Sequence, residues 1–383
     1  MSEISFSNDI EGRYDRHQLI LWWDQKKISQ TNIIVAGAGA LGNEVLKLLA
    51  LVGVGRLTVI DFDVVARSNL ARMVLFREQD VGRPKVTVAA ERLGEINPEV
   101  QVRAIQGDLR FDIGLGDLRD ANLVIGCLDS VNARWALNRK CMQAGVEWID
   151  GGISDFHGLV TRYSPSQGAC YECNFTANTL ERFNRRYSCP FGLLSSQAEE
   201  KVPTTALTTS AIAALQVQQA LMMLHGIQED ALRPGERVVL YLKPFHLVKD
   251  LLPYNPDCLA HARLPGYIPV AEIEPDTSAL EALRLAQLRY PGVQALALGY
   301  DYVTEFYCHT CQSRQPVHHP KARVQHMQAA CPRCGELREP LTIASIQEDT
   351  PEAGMTLREF GIPEGEILTF SQEDQLHYLA MSR

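Results

Sequence analysis

Asn32-Ile-Ile-Val-Ala-Gly-Ala-Gly-Ala-Leu-Gly42 is the stretch on which the fold turns. A short apolar run ends in glycines, and an apolar helical periodicity follows to Gly53. That places a GxGxxG pattern (Gly37, Gly39, Gly42) between a buried strand and a helix. The glycines let the backbone turn sharply and approach a phosphate, while the helix N-terminus supplies N–H donors and partial positive charge. Outward from this point strands and helices alternate. Residues 56–63 (RLTVIDFD), 101–107, 122–129 and 146–153 read as strands, and 84–97 and 131–145 as helices. Such βαβ alternation predicts an α/β fold, a Rossmann-like doubly wound, mostly parallel sheet with helices on both faces. Residues 156–164 and 236–249 read as an antiparallel extension, and 204–225 as an apolar helix.

The chain has 383 residues, of which 46% are hydrophobic and 22% charged, so global disorder is excluded. A net charge of −9 argues against a protein whose main work is coating nucleic acid or anionic lipid. No window approaches 18 uninterrupted apolar residues, and the polar, acidic start is unlike a signal peptide. A cytoplasmic protein is expected.

Asp61 closes the second strand, about 20 residues beyond the glycines, where a carboxylate can hold ribose hydroxyls. This much would suit NAD. Downstream, however, come Asn69, Arg72 and Lys85, and Asp129 ends a further strand at the edge where ligands of such sheets bind. Cations beside a carboxylate suit a triphosphate with Mg²⁺, the cations offsetting phosphate charge and the carboxylate holding the metal.

RYDRHQLI (13–20), GAGALG (37–42), VIDFDVVARSNLAR (59–72), VGRPK (81–85), CLDS (127–130), the CxxC at Cys170/Cys173 and YNPDC (254–258) together resemble the ThiF/MoeB/ubiquitin-activating (E1-like) superfamily. The resemblance runs from Gly12 to about His261. It implies adenylation of the C-terminal glycine of a ubiquitin-like protein, with Asp61 on the ribose, Asn69, Arg72 and Lys85 on the ATP phosphates, and Asp129 positioning Mg²⁺ and the reacting groups. It also implies that Arg16 reaches the neighbouring subunit's site, hence a homodimer. Ser130 and Met73 stand where the family often has Asn and Gln.

Ten cysteines in a reducing compartment point to metal or catalytic thiols. The family usually completes its zinc site with a second CxxC after Asn-Pro. Here Asn255-Pro256 precedes a CxxH, so Cys170, Cys173, Cys258 and His261 are expected to form one Cys₃His site. Cys308/Cys311 and Cys331/Cys334 have zinc-ribbon spacing and make a closed Cys₄ site. Cys127 and Cys141 read as core residues. Cys189 lies in a long polar stretch, 174–202, beside Arg185 and Arg186, which favour a thiolate. Related enzymes often carry a reactive cysteine there, so Cys189 is the expected nucleophile.

A domain of residues 1–263, with the cysteine-bearing loop, is thus expected to precede a small C-terminal domain, 264–383, containing the zinc ribbon (308–334). In that part 300–308 reads as a strand, 355–370 as strand, turn and strand, and 371–383 as an exposed helix. Such an appendage is more often a partner-binding module than a second catalyst. The nearest relatives implied are activators of bacterial ubiquitin-like conjugation operons. The expected reaction is adenylation, then thioester formation on Cys189 for a conjugating enzyme, without nucleic acid or membrane. Alternatives are a sulfur-carrier activator that stops at the adenylate or forms a persulfide, a catalytically silent binding subunit, and, more distantly, an NAD oxidoreductase.

Overall fold

The computed structural model describes residues 12–175, 204–324 and 326–382. Cys189 and nearly all of the stretch 174–202 lie outside the described residues. Eight strands form the first sheet: β1 (Asn32–Ala36), β2 (Arg56–Asp61), β3 (Gln101–Gln106), β4 (Leu123–Gly126), β5 (Trp148–Ile153), β6 (His157–Tyr163), β7 (Glu236–Leu242) and β8 (Phe245–Leu251). Their spatial order is β3-β2-β1-β4-β5-β6-β7-β8. β1 to β5 run parallel, and β6 to β8 continue the sheet antiparallel. The expected Rossmann-like sheet with its antiparallel extension is therefore present. Strand order reverses between β1 and β4, opening the crevice at the carboxyl ends where ligands of such sheets bind.

Helices α1 (Ala40–Val52), α2 (Lys85–Ile96), α3 (Val131–Ala144) and α4 (Ala206–His225) cover the sheet. Leu46 and Leu49 of α1, Val88 and Leu93 of α2 and Ile212 and Val217 of α4 share one apolar cluster with Val35, Val59 and Ile125. Cys141 and Met142 of α3 bury against Trp148 in a second. Among the described residues, α4 alone is long and apolar enough to cross a membrane. It belongs to the core instead. Its fully buried Gln216 donates to the carbonyls of Gly126 (2.8 Å) and Ile149 (3.3 Å), bridging β4 and β5.

A six-stranded sheet follows, from β9 (Val270–Ala271), β10 (Ala295–Tyr307), β11 (Arg314–Pro320), β12 (Glu339–Ile346), β13 (Ile367–Gln372) and β14 (Gln375–Met381), with helix α5 (Ala279–Arg289) beside it. Two expectations fail here. Residues 355–360 form no strand, because Thr356 and Glu359 make a capping box that starts the short helix Leu357–Phe360. The tail is no exposed helix. β14 pairs with β13 and β9, and Leu379 and Met381, two apart, are buried. A chain reversal at Glu373, with φ of 50°, makes the hairpin that periodicity alone did not signal.

The second sheet's unit is seated on the loop after β3. Gly116 N–H donates to the carbonyl of Gly365 (2.9 Å), and Leu115 N–H to Glu366 (3.1 Å). Arg323 pairs with Asp112 at 2.6 Å and stacks over Phe111. A Cβ on Gly114 would lie 2.4 Å from the backbone of Gly365.

Leu379 decides between a strand and an exposed tail. Leu379→Ala is expected to lower stability by about 2–5 kcal/mol, the cost of truncating a buried leucine. Chemical denaturation reads this directly. A change below about 0.5 kcal/mol, as for an exposed side chain, would overturn the pairing.

Candidate active site and metal centres

The glycines act by two different means. Gly37 has a φ of 101°, and a Cβ there would lie 2.4 Å from the Cys127 carbonyl. A Cβ on Gly42 would meet the Gly37 carbonyl at 1.9 Å. Around Gly39 a Cβ would find nothing within 4 Å. Gly37 and Gly42 therefore allow backbone packing, and Gly39 leaves the loop open.

Asp61 ends β2 beside this loop. Its carboxylate accepts from Ala38 N–H (2.7 Å) and Asp63 N–H (2.8 Å). Burial pushes the Asp61 carboxyl up, and the nearby Lys85 ammonium pulls it back. Lys85, buried at the start of α2, donates to Asp63 at 2.6 Å. Asn69 is buried in the loop after β2, where its side-chain oxygen accepts from Ala66 N–H. Arg72, half-buried in the same loop, donates to the Ser68 carbonyl. Asp129 is exposed in the turn after β4. Ser130 then caps α3 by accepting from Ala133 N–H.

β1, β2 and β4 deliver the glycines, Asp61, Asn69, Arg72, Lys85 and Asp129 to one edge of the sheet. Arg16 is not with them. Its short helix, Asp15–Gln18, lies at the far ends of α1 and α2: Tyr14 packs on Gly53, and Arg13 donates to the carbonyl of Ile96. With 13 residues in α1, that is about 20 Å from the glycine loop of the same chain.

Three contributors escaped the sequence reading. Asn43, fully buried on α1, donates to the carbonyls of Ala38 (2.8 Å) and Gly39 (3.2 Å) and accepts from Leu75 N–H (3.0 Å). It ties the glycine loop to the loop of Asn69 and Arg72. Arg134 on α3 donates to the carbonyl of Leu128 and to the buried carboxylate of Asp150. Glu172, between Cys170 and Cys173, is buried and held by Arg139 and Asn138 of α3. A polar residue on the apolar face of α1 was the available signal for Asn43; the other two depend on distant pairings.

Tetrahedral zinc with bonds of about 2.3 Å to sulfur sets neighbouring sulfurs about 3.8 Å apart. Cys170 Sγ lies 3.7 Å from both Cys173 and Cys258, and Cys173 lies 3.3 Å from His261 Nε2. Tyr254 stacks on the His261 ring. In the C-terminal part Cys308–Cys334 and Cys311–Cys331 are each 3.5 Å apart. Within each group the donor atoms lie inside 4.8 Å of one another, too far apart for S–S bonds. Both sets fit zinc. The Ser313 hydroxyl, beside Cys311 and Cys331, lowers both thiols, Cys331 to about 5. Cys127 and Cys141 are different: burial pushes their thiols far up, which removes them as nucleophiles.

Two zinc ions per chain are expected by atomic emission, one for each group. Cys258→Ala and Cys331→Ala should each leave one and lower the unfolding temperature. An unchanged metal content in either variant would remove that residue from the ligand set.

A profile of the ThiF family matches residues 14–259. The chain is 33% identical over 208 residues to a sulfur carrier protein adenylyltransferase of Thermus thermophilus, covering 53% of this chain and 72% of that one. It is 35% identical over 166 residues to a SAMP-activating enzyme E1 of Haloferax volcanii, covering 43% of this chain and 61% of the relative. Among solved structures, E. coli MccB with ATP superimposes with a TM-score of 0.54 at 24% identity, over 67% of this chain and 75% of that one, a likeness of fold. With that sheet, that glycine loop and a match across most of its length, the chain belongs to the ThiF family of E1-like adenylyltransferases.

Proposed function

We propose that the chain activates a ubiquitin-like protein by adenylating its C-terminal glycine and then takes the acyl group onto Cys189. The observation that carries this is the gathering, at one sheet edge, of an open glycine loop, the Asp61 carboxylate, the buried Lys85 ammonium and the loops of Asn69, Arg72 and Asp129. An ionised carboxylate has about four acceptor positions, so Asp61 retains room for ribose hydroxyls beside its two backbone donors. Loop amides, Asn69, Arg72 and Lys85 would hold the triphosphate. Asp129 would hold Mg²⁺, which supplies charge neutralisation along the phosphates.

In the first step an oxygen of the glycine carboxylate bonds to the α-phosphorus. The bond from that phosphorus to the bridging oxygen breaks, and pyrophosphate leaves with the electron pair. The enzyme's part is alignment and charge stabilisation. In the second step the Cys189 thiolate attacks the acyl carbon, the bond to the phosphate oxygen breaks, and AMP leaves. Support for Cys189 comes from its two neighbouring arginines and from the commitment of the other cysteines to core or metal positions. A conjugating-type enzyme would then accept the thioester. We assign adenylation to residues 1–263 and partner contact to 264–383, in a reducing compartment such as the cytoplasm.

The second reading, a sulfur-carrier activator that stops at the adenylate or forms a persulfide, is favoured by the likeness to the Thermus thermophilus protein. Intact mass after incubation with Mg·ATP and a ubiquitin-like protein separates the two. A DTT-labile adduct absent in Cys189→Ala is the expected result. AMP and pyrophosphate without an adduct would transfer the assignment to the second reading.

The distance of Arg16 from its own glycine loop supports a dimer whose sites are completed across the interface. Arg16→Ala and Lys85→Ala should each lower ATP–pyrophosphate exchange about 100-fold. Mixed after subunit exchange, they should recover about a quarter of wild-type activity, since half the dimers then hold one intact site. No recovery from verified mixed dimers would refute the shared site.

A further inference from the structure

Asp129 stands in a turn of very few residues, and its backbone is held on both sides. On the far side is the Ser130 cap of α3. On the near side the carbonyl of Leu128 accepts from Arg134 Nη2 at 2.5 Å. The same nitrogen donates to the carbonyl of Gly151 (3.1 Å), and Nε donates to Asp150 Oδ1 (3.0 Å). One guanidinium thereby stitches the end of β4 to β5. Its side chain is 15% exposed and that of Asp150 4%. Burial pushes the Asp150 carboxyl up while Arg134 pulls it down, so the pair sits inside the sheet as mutual counter-charges.

We propose that Arg134 is a positioning residue, one that fixes the peptide before Asp129 and so aims the Asp129 carboxylate, with Asp150 as its buried anchor. The proposal rests on the reading of Asp129 as the group that faces the metal and the reacting phosphate. Arginine is required because its planar fork presents several donors at fixed angles, enough for two carbonyls and a carboxylate together. Lysine in its place keeps the charge that Asp150 needs, but as a point charge on a flexible stem it does not hold both strands. Removing the charge altogether would leave Asp150 buried and unpaired, a strongly destabilising change.

Arg134→Lys is therefore the informative variant, with Arg134→Met/Asp150→Asn as a charge-neutral second should it fold poorly. Two readouts are needed. Hydrogen–deuterium exchange of the protein without nucleotide should show the amides of 127–133 exchanging about tenfold faster, the scale of one or two lost hydrogen bonds, with β1 to β3 unchanged. ATP–pyrophosphate exchange should lose about 10- to 100-fold in kcat, with KM for ATP within about twofold. Arg134→Lys combined with Asp129→Asn should be no slower than Asp129→Asn alone, because both act through one group. If Asp129→Asn exchanges at full rate, the reading of Asp129 fails and the proposal with it. If Asp129→Asn is inactive while Arg134→Lys leaves either the 127–133 amides or kcat unchanged, the proposal alone is overturned.

Discussion

A close approach of backbone to backbone holds the nucleotide edge together. Where α1 meets the end of β1, a Cβ on Gly42 would lie 1.9 Å from the Gly37 carbonyl, and one on Gly37 2.4 Å from the carbonyl of Cys127. With no side chain between them, the first turn of α1 rests directly on the ends of β1 and β4. That contact brings Asn43 within reach of the loop carbonyls of Ala38 and Gly39. Through Leu75 the same asparagine then sets the segment that carries Asn69 and Arg72. A methyl group at Gly42 would displace a helix, and with the helix every group whose position is measured from it.

Helix α3 extends this geometry sideways. It starts at the Ser130 cap next to Asp129, holds β4 and β5 through Arg134, and grips the Cys170/Cys173 hook through Asn138, Arg139 and the buried Glu172. Further along, Lys140 donates to the carbonyl of Ile113 in the loop that seats the C-terminal unit. One rigid element thus touches the turn of Asp129, the Cys170 cluster and the loop that seats the appended sheet.

Local chemistry made much of this legible beforehand. Gly37, Gly39 and Gly42 lie between a strand and a helix, and a pattern of that kind declares itself within a dozen residues. The same is true of the zinc-ribbon hooks, whose spacing carries the ligand geometry. What stayed hidden depends on pairing at a distance. Arg134 acquires its role only when Leu128 and Asp150 come together, and β14 is a strand only because β13 and β9 lie on either side of it. The helix at Leu357 was legible after all: Thr356 and Glu359 are spaced as a capping box, outweighing the alternation that suggested a strand. Arg16 sits a helix length from its own glycine loop, a separation that nothing in the local run RYDRHQLI announces.

The seat between the two sheets has a bearing on ancestry. An appended unit that docks through side chains can be exchanged, since either surface can be redecorated independently. Here Gly114 and Gly365 touch backbone to backbone, and Gly116 donates across the same contact. Gly114 cannot acquire a side chain without driving the units apart, and Gly365, at a φ of 71°, holds a left-handed turn that side chains rarely adopt. The C-terminal unit is therefore no interchangeable cassette. A chimera that joined it to another ThiF-family core would need the glycine-bearing loop transplanted along with it, and lineages that kept one would be expected to keep both.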